Sequence, residues 1–201
     1  MRALIVALTL TACSTPNTPT ALSNACGYDT DAMLALDERS FDRTDGSGWR
    51  AVADTEGCEA AAADLIARYR ASHPDVADAT GLLHHEAQMR AASGQTDAAI
   101  ALIEQTRALE TAPEMLAYRD AELAFLRNDR EALLAARSRL VDVPAPENFT
   151  ASVARFRERY PNATPPTWPL NLEVVDGFVS CFGRPYHEAY VAPCRGSAVS
   201  D

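Results

Sequence analysis

The sequence predicts an all-α protein, and three observations support this fold class. Apolar residues make up 47% of the 201 residues, aromatic residues make up only 7%, and much of the apolar fraction is alanine. Alanine has the highest helix propensity, whereas β-strands favour branched and aromatic side chains. Apolar residues also recur at the three- and four-residue spacing of an α-helix. Residues typical of helix ends separate these periodic segments. A chain of this length has room for one domain.

Apolar spacing and capping residues predict nine helices along the chain. Their approximate ranges are 31–40, 49–53, 56–72, 76–93, 96–109, a segment behind Thr111 that includes 116–126, 130–141, 149–159 and 171–182. Asp31 and Thr55 are the predicted N-caps of the first and third helices. Thr111 and Glu114 have the spacing of a capping box. We expect the tail from Arg184 onward to be irregular.

Two tight turns in the middle of the chain lie 34 residues apart. Gly94 and Asn128 each stand between two predicted helices of similar length, and both residue types favour a left-handed helix end. The period matches the tetratricopeptide repeat. The chain resembles that family further at Ala87 and Ala121, where the first helix of a repeat packs closely on its neighbour. The family's large aromatic residues are mostly missing. The resemblance implies antiparallel helical hairpins stacked in a short α-solenoid; an irregular helical bundle is the alternative.

The helical part is predicted to be one domain, residues 26–201. Its parts are, in order, a repeat-like core at 76–141, proline-bearing connectors at 141–147 and 160–169, and a C-terminal helix and tail at 170–201. We expect Trp168 to hold the second connector against the body of the domain.

The chain begins with a predicted export signal. Arg2 gives a positive start, and residues 3–12 form an apolar run. As a helix this run spans about 15 Å, too little for a bilayer core of about 30 Å. It ends in Leu-Thr-Ala-Cys at 10–13, which resembles the lipobox of bacterial lipoproteins. The resemblance implies cleavage of a signal peptide at 1–12 and acylation of Cys13, which then anchors the protein in a membrane. An ordinary secretory signal with an incidental cysteine is the alternative.

A flexible lipidated tether is predicted at residues 13–25. Residues 14–25 are rich in Ser, Thr, Pro and Asn and carry no charge, so they cannot bury enough apolar surface to fold. Ser14 follows the cysteine. In enterobacterial lipoproteins an aspartate at that position favours retention in the inner membrane. The resemblance therefore implies an outer-membrane protein that faces the periplasm.

Four further cysteines favour two disulfide bonds, because an even number in an exported protein indicates pairing. They are Cys26, Cys58, Cys181 and Cys194. Three pairings are possible. We prefer Cys26–Cys58 with Cys181–Cys194, since each cysteine then has its partner within one terminal region.

Charge excludes several classes of function. The formal net charge is −10, and it becomes −11 when residues 1–13 are removed, because Arg2 is the charged residue among them. Such a surface repels nucleic-acid phosphates and does not attract anionic lipid. All 18 basic residues are arginines. A lysine nucleophile and a Walker-type phosphate lysine are therefore excluded.

No catalytic, metal or cofactor site is predicted. In His84-His85-Glu86 the two imidazoles point about 100° apart on a helix, so they cannot easily share one metal ion. Neither the HExxH nor the HxxEH motif of metalloproteases is completed there. A metal site at Cys181, His187 and Cys194 would lack a fourth ligand.

Helical repeats stack into a concave surface that holds peptides or partner proteins, which suggests a binding scaffold. The candidate contacts lie on the first helices of the two hairpins, at His84, Gln88, Tyr118 and Glu122. The predicted partner is a protein or peptide of the cell envelope, and an acidic groove favours a basic or neutral one. A purely structural envelope subunit and an envelope enzyme without a recognisable motif are the alternatives.

Overall fold

The computed structural model describes residues 25–43 and 46–195, and all regular structure within these ranges is helical. The predicted all-α fold is therefore confirmed. The helices are α1 (Thr30–Leu34), α2 (Glu38–Phe41), α3 (Trp49–Ala53), α4 (Glu59–Ser72), α5 (Ala79–Ala92), α6 (Thr96–Leu109), α7 (Pro113–Leu126), α8 (Arg130–Val141), α9 (Phe149–Arg159), α10 (Leu172–Ser180) and α11 (Tyr186–Tyr190). The predicted signal peptide, the acylation of Cys13 and nearly all of the tether lie outside the described residues. No helix within them is long and apolar enough to cross a bilayer.

The N-terminal region corrects two predicted helices. The predicted helix at 31–40 is two helices, because the Asp37 carboxylate accepts a hydrogen bond from the Ser40 N–H at 2.8 Å and starts α2. The N-cap of α1 is Asp29 and not Asp31. The next long helix begins at Glu59, later than expected from Thr55, because the chain turns at Gly57 with a φ of 78°.

The capping box predicted at Thr111 and Glu114 is wrong. Helix α7 begins at Pro113, and the residue before it is Ala112, whose side chain cannot cap. Glu110 instead accepts hydrogen bonds from the N–H groups of Thr111 and Ala112, at 2.9 and 3.0 Å. Proline suits the first helical position because the N–H that it lacks has no partner there.

Consecutive helices pack as hairpins through the middle of the chain. Helix α5 packs along α4 and α6, and α7 packs along α8. The short turns between them hold Gly94 and Asn128 in the predicted left-handed conformation, with φ of 78° and 56°. Ala87 and Ala121 are both fully buried. Small side chains at these positions leave room for the neighbouring helices.

Two large apolar clusters make up most of the core. The N-terminal cluster joins α2, α3, α4 and α5, where the Phe41 and Tyr69 rings stack with centroids 3.7 Å apart. The C-terminal cluster joins α7 and α8 to α10 and α11. There Phe125 stacks on Phe178 at 4.8 Å. Trp168 donates a hydrogen bond to the Val143 carbonyl at 2.8 Å and packs on Phe149, so it fastens the second connector to the first connector and to α9.

Both preferred disulfides are present. Cys26 pairs with Cys58, and Cys181 pairs with Cys194. The first bond fastens the start of the described chain to the N-terminus of α4. The second fastens the segment after α11 to the end of α10.

The prediction of an irregular tail after Arg184 is wrong, because Tyr186–Tyr190 form α11. This short helix packs on α10 and α5 and buries Tyr186 and Ala189. Its stability comes from long-range contacts and the neighbouring disulfide, which a five-residue apolar pattern does not reveal.

Candidate functional site

The four predicted contact residues lie together between α5 and α7. The His84 Nε2 is 2.7 Å from a Glu122 carboxylate oxygen, and the Gln88 amide donates to the Tyr118 hydroxyl at 3.1 Å. Each helix contributes two residues four positions apart, which therefore share one face. His84 and Tyr118, like Gln88 and Glu122, are also separated by the 34-residue hairpin offset. Of these two equivalent pairs, His84 and Tyr118 are in contact, since their rings meet edge to face with centroids 5.8 Å apart.

These four side chains are buried. Gln88 retains 7% of its exposure and Glu122 retains none. Helix α11 covers them: the Tyr186 hydroxyl donates to Glu122 at 2.8 Å, and Gln88 also donates to the Tyr190 hydroxyl at 3.2 Å. Direct contact of a partner with His84, Tyr118 or Glu122 would require α11 to move. That these residues bind a partner stays a prediction.

Sequence reasoning missed three members of this network, namely Arg119, Tyr186 and Tyr190. The Arg119 Nη1 lies 2.7 Å from the His84 Nε2 and 3.3 Å from Glu122. An arginine on a helix is usually solvated, so no sequence signal distinguished this buried one. The two tyrosines are four residues apart, but one such spacing in a five-residue segment is too little to indicate a helical face.

The buried carboxylate is held in its ionised form. Burial alone would raise the pKa of Glu122, but the charges of His84 and Arg119 and the Tyr186 hydroxyl outweigh burial and lower that pKa to about 2. Burial lowers the pKa of His84, against the opposing pull of Glu122. Neutral His84 cannot supply a positive charge near neutral pH, so we attribute the ionised state of Glu122 there to Arg119 and Tyr186.

The phenols around this carboxylate stay protonated. Burial, followed by the charge of Glu122, raises the pKa of both Tyr118 and Tyr186 well above 10. Tyr186 therefore remains a hydrogen-bond donor to Glu122. Arg119, Glu122 and neutral His84 together form a charge-balanced buried unit that fixes α5 and α7 relative to α11.

A cavity of about 340 Å³ lies beside this network, bounded by α3, the start of α4, α5 and α11. Polar and aromatic residues that line it include Arg50, Asp54, Glu59, His85, Gln88 and Tyr190. Gln88 thus belongs both to the buried network and to the cavity wall. The network therefore sets the position of one wall of the cavity.

Asp42 organises the positively charged side of the cavity. It pairs with Arg50, accepts a hydrogen bond from the Trp49 indole at 2.9 Å and lies 3.1 Å from the His85 Nδ1. The last distance suits an ion pair, but the N–H is out of line for a hydrogen bond. Burial would raise the pKa of Asp42, yet His85, Arg50 and Trp49 together hold it well below its ordinary value.

The residues around the cavity are better suited to binding a ligand than to acid–base catalysis. An aspartate beside a histidine can orient a general base. The Arg50 Nη2, however, lies 3.5 Å from the His85 Nε2, so that nitrogen already has a hydrogen-bonding neighbour. Cys181 and Cys194 are bonded to each other and do not supply thiolate ligands beside His187. Within the described ranges, no group of three or more His, Cys, Asp or Glu residues could hold a metal ion.

No protein-family model matches the chain, and no curated protein and no solved structure was found to match it.

Proposed function

We propose that this protein is an outer-membrane-anchored lipoprotein of the periplasm that binds a protein or peptide partner at the 340 Å³ cavity. The cavity carries the proposal. Its volume lies in the range of ligand-binding pockets and can receive a side chain of an extended segment, but not a folded domain. It opens beside Gln88, one of the four residues that the hairpin spacing indicated.

The proposed localisation rests on the N-terminal sequence. The leader, the lipobox-like 10–13 and the uncharged tether support a lipid anchor at Cys13. Two disulfides suit an oxidising compartment such as the periplasm. Mass spectrometry of the mature N-terminus tests the anchor directly: an acylated Cys13 supports it, and an intact Met1 contradicts it.

Site-specific photo-crosslinking in intact cells tests the binding site. Val191 lines the cavity and is 52% exposed, which makes it a suitable position for a photoreactive residue. Leu134 on α8 is 42% exposed and provides the matched control away from the cavity. We expect a discrete adduct from position 191 alone. No adduct from position 191, or equal adducts from both positions, would refute the proposed site.

A second candidate, an envelope hydrolase, is favoured by the Asp42–His85 pair beside the cavity. The same adducts separate the two functions. A partner recovered whole from the wild type supports binding. A partner recovered as fragments from the wild type, and whole from His85→Asn, supports hydrolysis.

A further inference from the structure

We infer that α9 lies on an anionic lipid surface in the anchored protein, with its apolar stripe at the interface and its arginines at the lipid phosphates. The apolar stripe is Phe149, Val153 and Phe156, and the arginines are Arg155, Arg157 and Arg159. This inference rests on the proposed lipid anchor. It goes beyond that anchor because it identifies a second membrane contact and the face of the domain that turns toward the bilayer.

Helix α9 contributes no residue to the buried core of the described chain. None of its residues is buried, whereas each of the other helices of nine or more residues buries at least three. Phe149, Val153 and Phe156 are half-buried and belong to none of the three apolar clusters among the described residues. The Phe149 ring instead meets Trp168 of the second connector, with centroids 5.2 Å apart. An apolar stripe on a helix is ordinarily covered by the core, so this stripe has room for a surface outside the domain.

The arginines of α9 flank the apolar stripe. At about 100° per residue, the three stripe residues lie within an arc of about 60°. Arg157 lies beside this arc on one side, and Arg159 and Arg155 follow on the other, while Glu158 lies on the opposite face. Tyr160 follows α9 in line with the stripe and is 48% exposed, and the Arg159 guanidinium lies 5.6 Å from the centre of its ring. Helices that lie in a membrane interface have this arrangement, because arginine stems pack beside the apolar face while the guanidinium groups reach the headgroups.

The same arginines are available to an external anion. Arg155, Arg157 and Arg159 are exposed, and none of them forms an ion pair within the part of the chain that the structure describes. Other exposed arginines are each paired with a carboxylate, namely Arg107, Arg127 and Arg139. Three arginines and one glutamate give α9 a net charge of +2 on a chain whose net charge is −10. Helix α9 is therefore a basic exception on an acidic protein, and its charge is complementary to an anionic surface.

A lipid surface offers both kinds of contact in one plane. Phosphates of anionic lipids attract the arginines, and the acyl boundary beneath them receives apolar side chains to a depth of about 5–10 Å. The acidic remainder of the chain is repelled by the same phosphates, so a tethered domain turns its basic face to the bilayer. Twelve residues separate Cys13 from Cys26, and they span at most about 40 Å. The proposed anchor therefore keeps the domain beside the bilayer, where even a weak interfacial contact is populated.

Tryptophan quenching in vesicles tests the inference on the mature acylated protein. The vesicles contain phosphatidylcholine with brominated acyl chains, either alone or mixed with anionic phosphatidylglycerol. Tyr160→Trp places the probe at the exposed end of the stripe, and Leu134→Trp is the matched control on α8, since the two side chains are 48% and 42% exposed. Bromine quenches tryptophans that reach the acyl chains, and the native Trp49 and Trp168 give both variants the same background. We expect extra quenching of Tyr160→Trp over Leu134→Trp in the anionic vesicles, and equal signals in phosphatidylcholine alone.

Charge variants of the Tyr160→Trp protein test the role of the arginines. The first variant removes the arginines of α9 through Arg155→Gln, Arg157→Gln and Arg159→Gln. Each arginine at an anionic surface favours the bound state about fivefold, so the three together change the ratio of bound to free helix about a hundredfold. We expect this variant to lose the extra quenching. The control makes the same change of net charge at exposed, paired arginines and should keep the extra quenching; its changes are Arg107→Gln, Arg127→Gln and Arg139→Gln. Circular dichroism melting of each variant checks the fold.

Several outcomes would overturn the inference. They are equal quenching of the two tryptophan variants in anionic vesicles, extra quenching that is as strong without phosphatidylglycerol, and equal loss in both triple variants. A shift of the Tyr160→Trp emission to shorter wavelength without quenching would show that protein, such as a second copy of this chain, covers the stripe, and would also overturn it.

Flotation of the same vesicles separates this inference from the proposed anchor. Protein that floats with phosphatidylcholine vesicles, but shows no extra quenching in the anionic ones, refutes the contact of α9 and leaves the anchor intact. Protein that does not float with phosphatidylcholine vesicles removes the anchor, and this inference with it.

Discussion

The buried carboxylate of Glu122 offers the sharpest test of how the site is held together. Glu122→Gln keeps the size of the side chain and removes its charge. The buried Arg119 guanidinium then loses its anion, while both residues stay away from water. Leaving one member of a buried ion pair without its partner is among the most destabilising changes known for single residues.

The direction follows from the pKa of Glu122, and the magnitude follows from comparable buried pairs. The folded site lowers the pKa of Glu122 despite its burial, so it favours the charged form. Mutational experience with broken buried pairs gives about 3–5 kcal/mol. We therefore expect Glu122→Gln to lower the free energy of unfolding by about 3–5 kcal/mol, a large share of the roughly 5–15 kcal/mol of a typical domain.

Urea denaturation followed by circular dichroism measures this change. The control is Glu104→Gln, which breaks an ion pair with Arg127 in which the two side chains are 54% and 46% exposed. It should cost less than about 1 kcal/mol. The double variant Arg119→Met with Glu122→Gln should be more stable than Glu122→Gln alone, since the unpaired charge is gone. A loss below 1 kcal/mol for Glu122→Gln, or no recovery in the double variant, would refute the reasoning.

Three further changes test other parts of the structure. Burial lowers the pKa of His84 below 6.5, so the unfolded chain takes up this proton more readily. The contribution of His84 to the free energy of unfolding is fully present above pH 6.5 and is lost as the pH falls toward the folded pKa. The slope of the free energy of unfolding against pH should therefore flatten in His84→Gln. An unchanged slope would contradict this. Replacing Cys181 and Cys194 by serine should cost about 3 kcal/mol, because the bond closes a short loop of 13-residue separation; thermal melting under oxidising conditions measures the loss, and an unchanged melting temperature would count against it. Gly48→Ala should cost more than about 2 kcal/mol, because Gly48 has a positive φ and an added Cβ would collide with the Phe41 carbonyl. The control Gly57→Ala also has a positive φ but meets open space, so it should cost about 1 kcal/mol. Equal losses in urea denaturation would contradict the collision.

The middle of the fold was predictable because its signals are local. Gly94 and Asn128 end helices through their own conformational preferences, and the 34-residue offset between them indicated the helix faces on which His84 meets Glu122 and Gln88 meets Tyr118. The preferred disulfides followed from chain order. These inferences needed only the neighbours of each residue and one repeat distance.

The closure of the site was not predictable because it depends on a distant segment. Whether Glu122 faces solvent or the interior is decided by α11, more than sixty residues later in the chain. Five residues are too few to show a helical period, and Tyr186 reads equally well as a surface residue. The cavity depends on the same distant segment, since Tyr190 forms part of its wall.

The contacts of α10 and α11 also limit the number of hairpins that this fold can contain. Helix α10 rests on α7 and α8, while α11 extends from it back to α5. If 113–141 were duplicated, the new hairpin would give α10 a second, identical packing surface one hairpin farther along. With α10 packed there, α11 would no longer reach Gln88. Both the cavity wall and the cover over Glu122 would then be lost. Within the described residues, the contacts of the last two helices are therefore specific to the hairpins at 79–109 and 113–141.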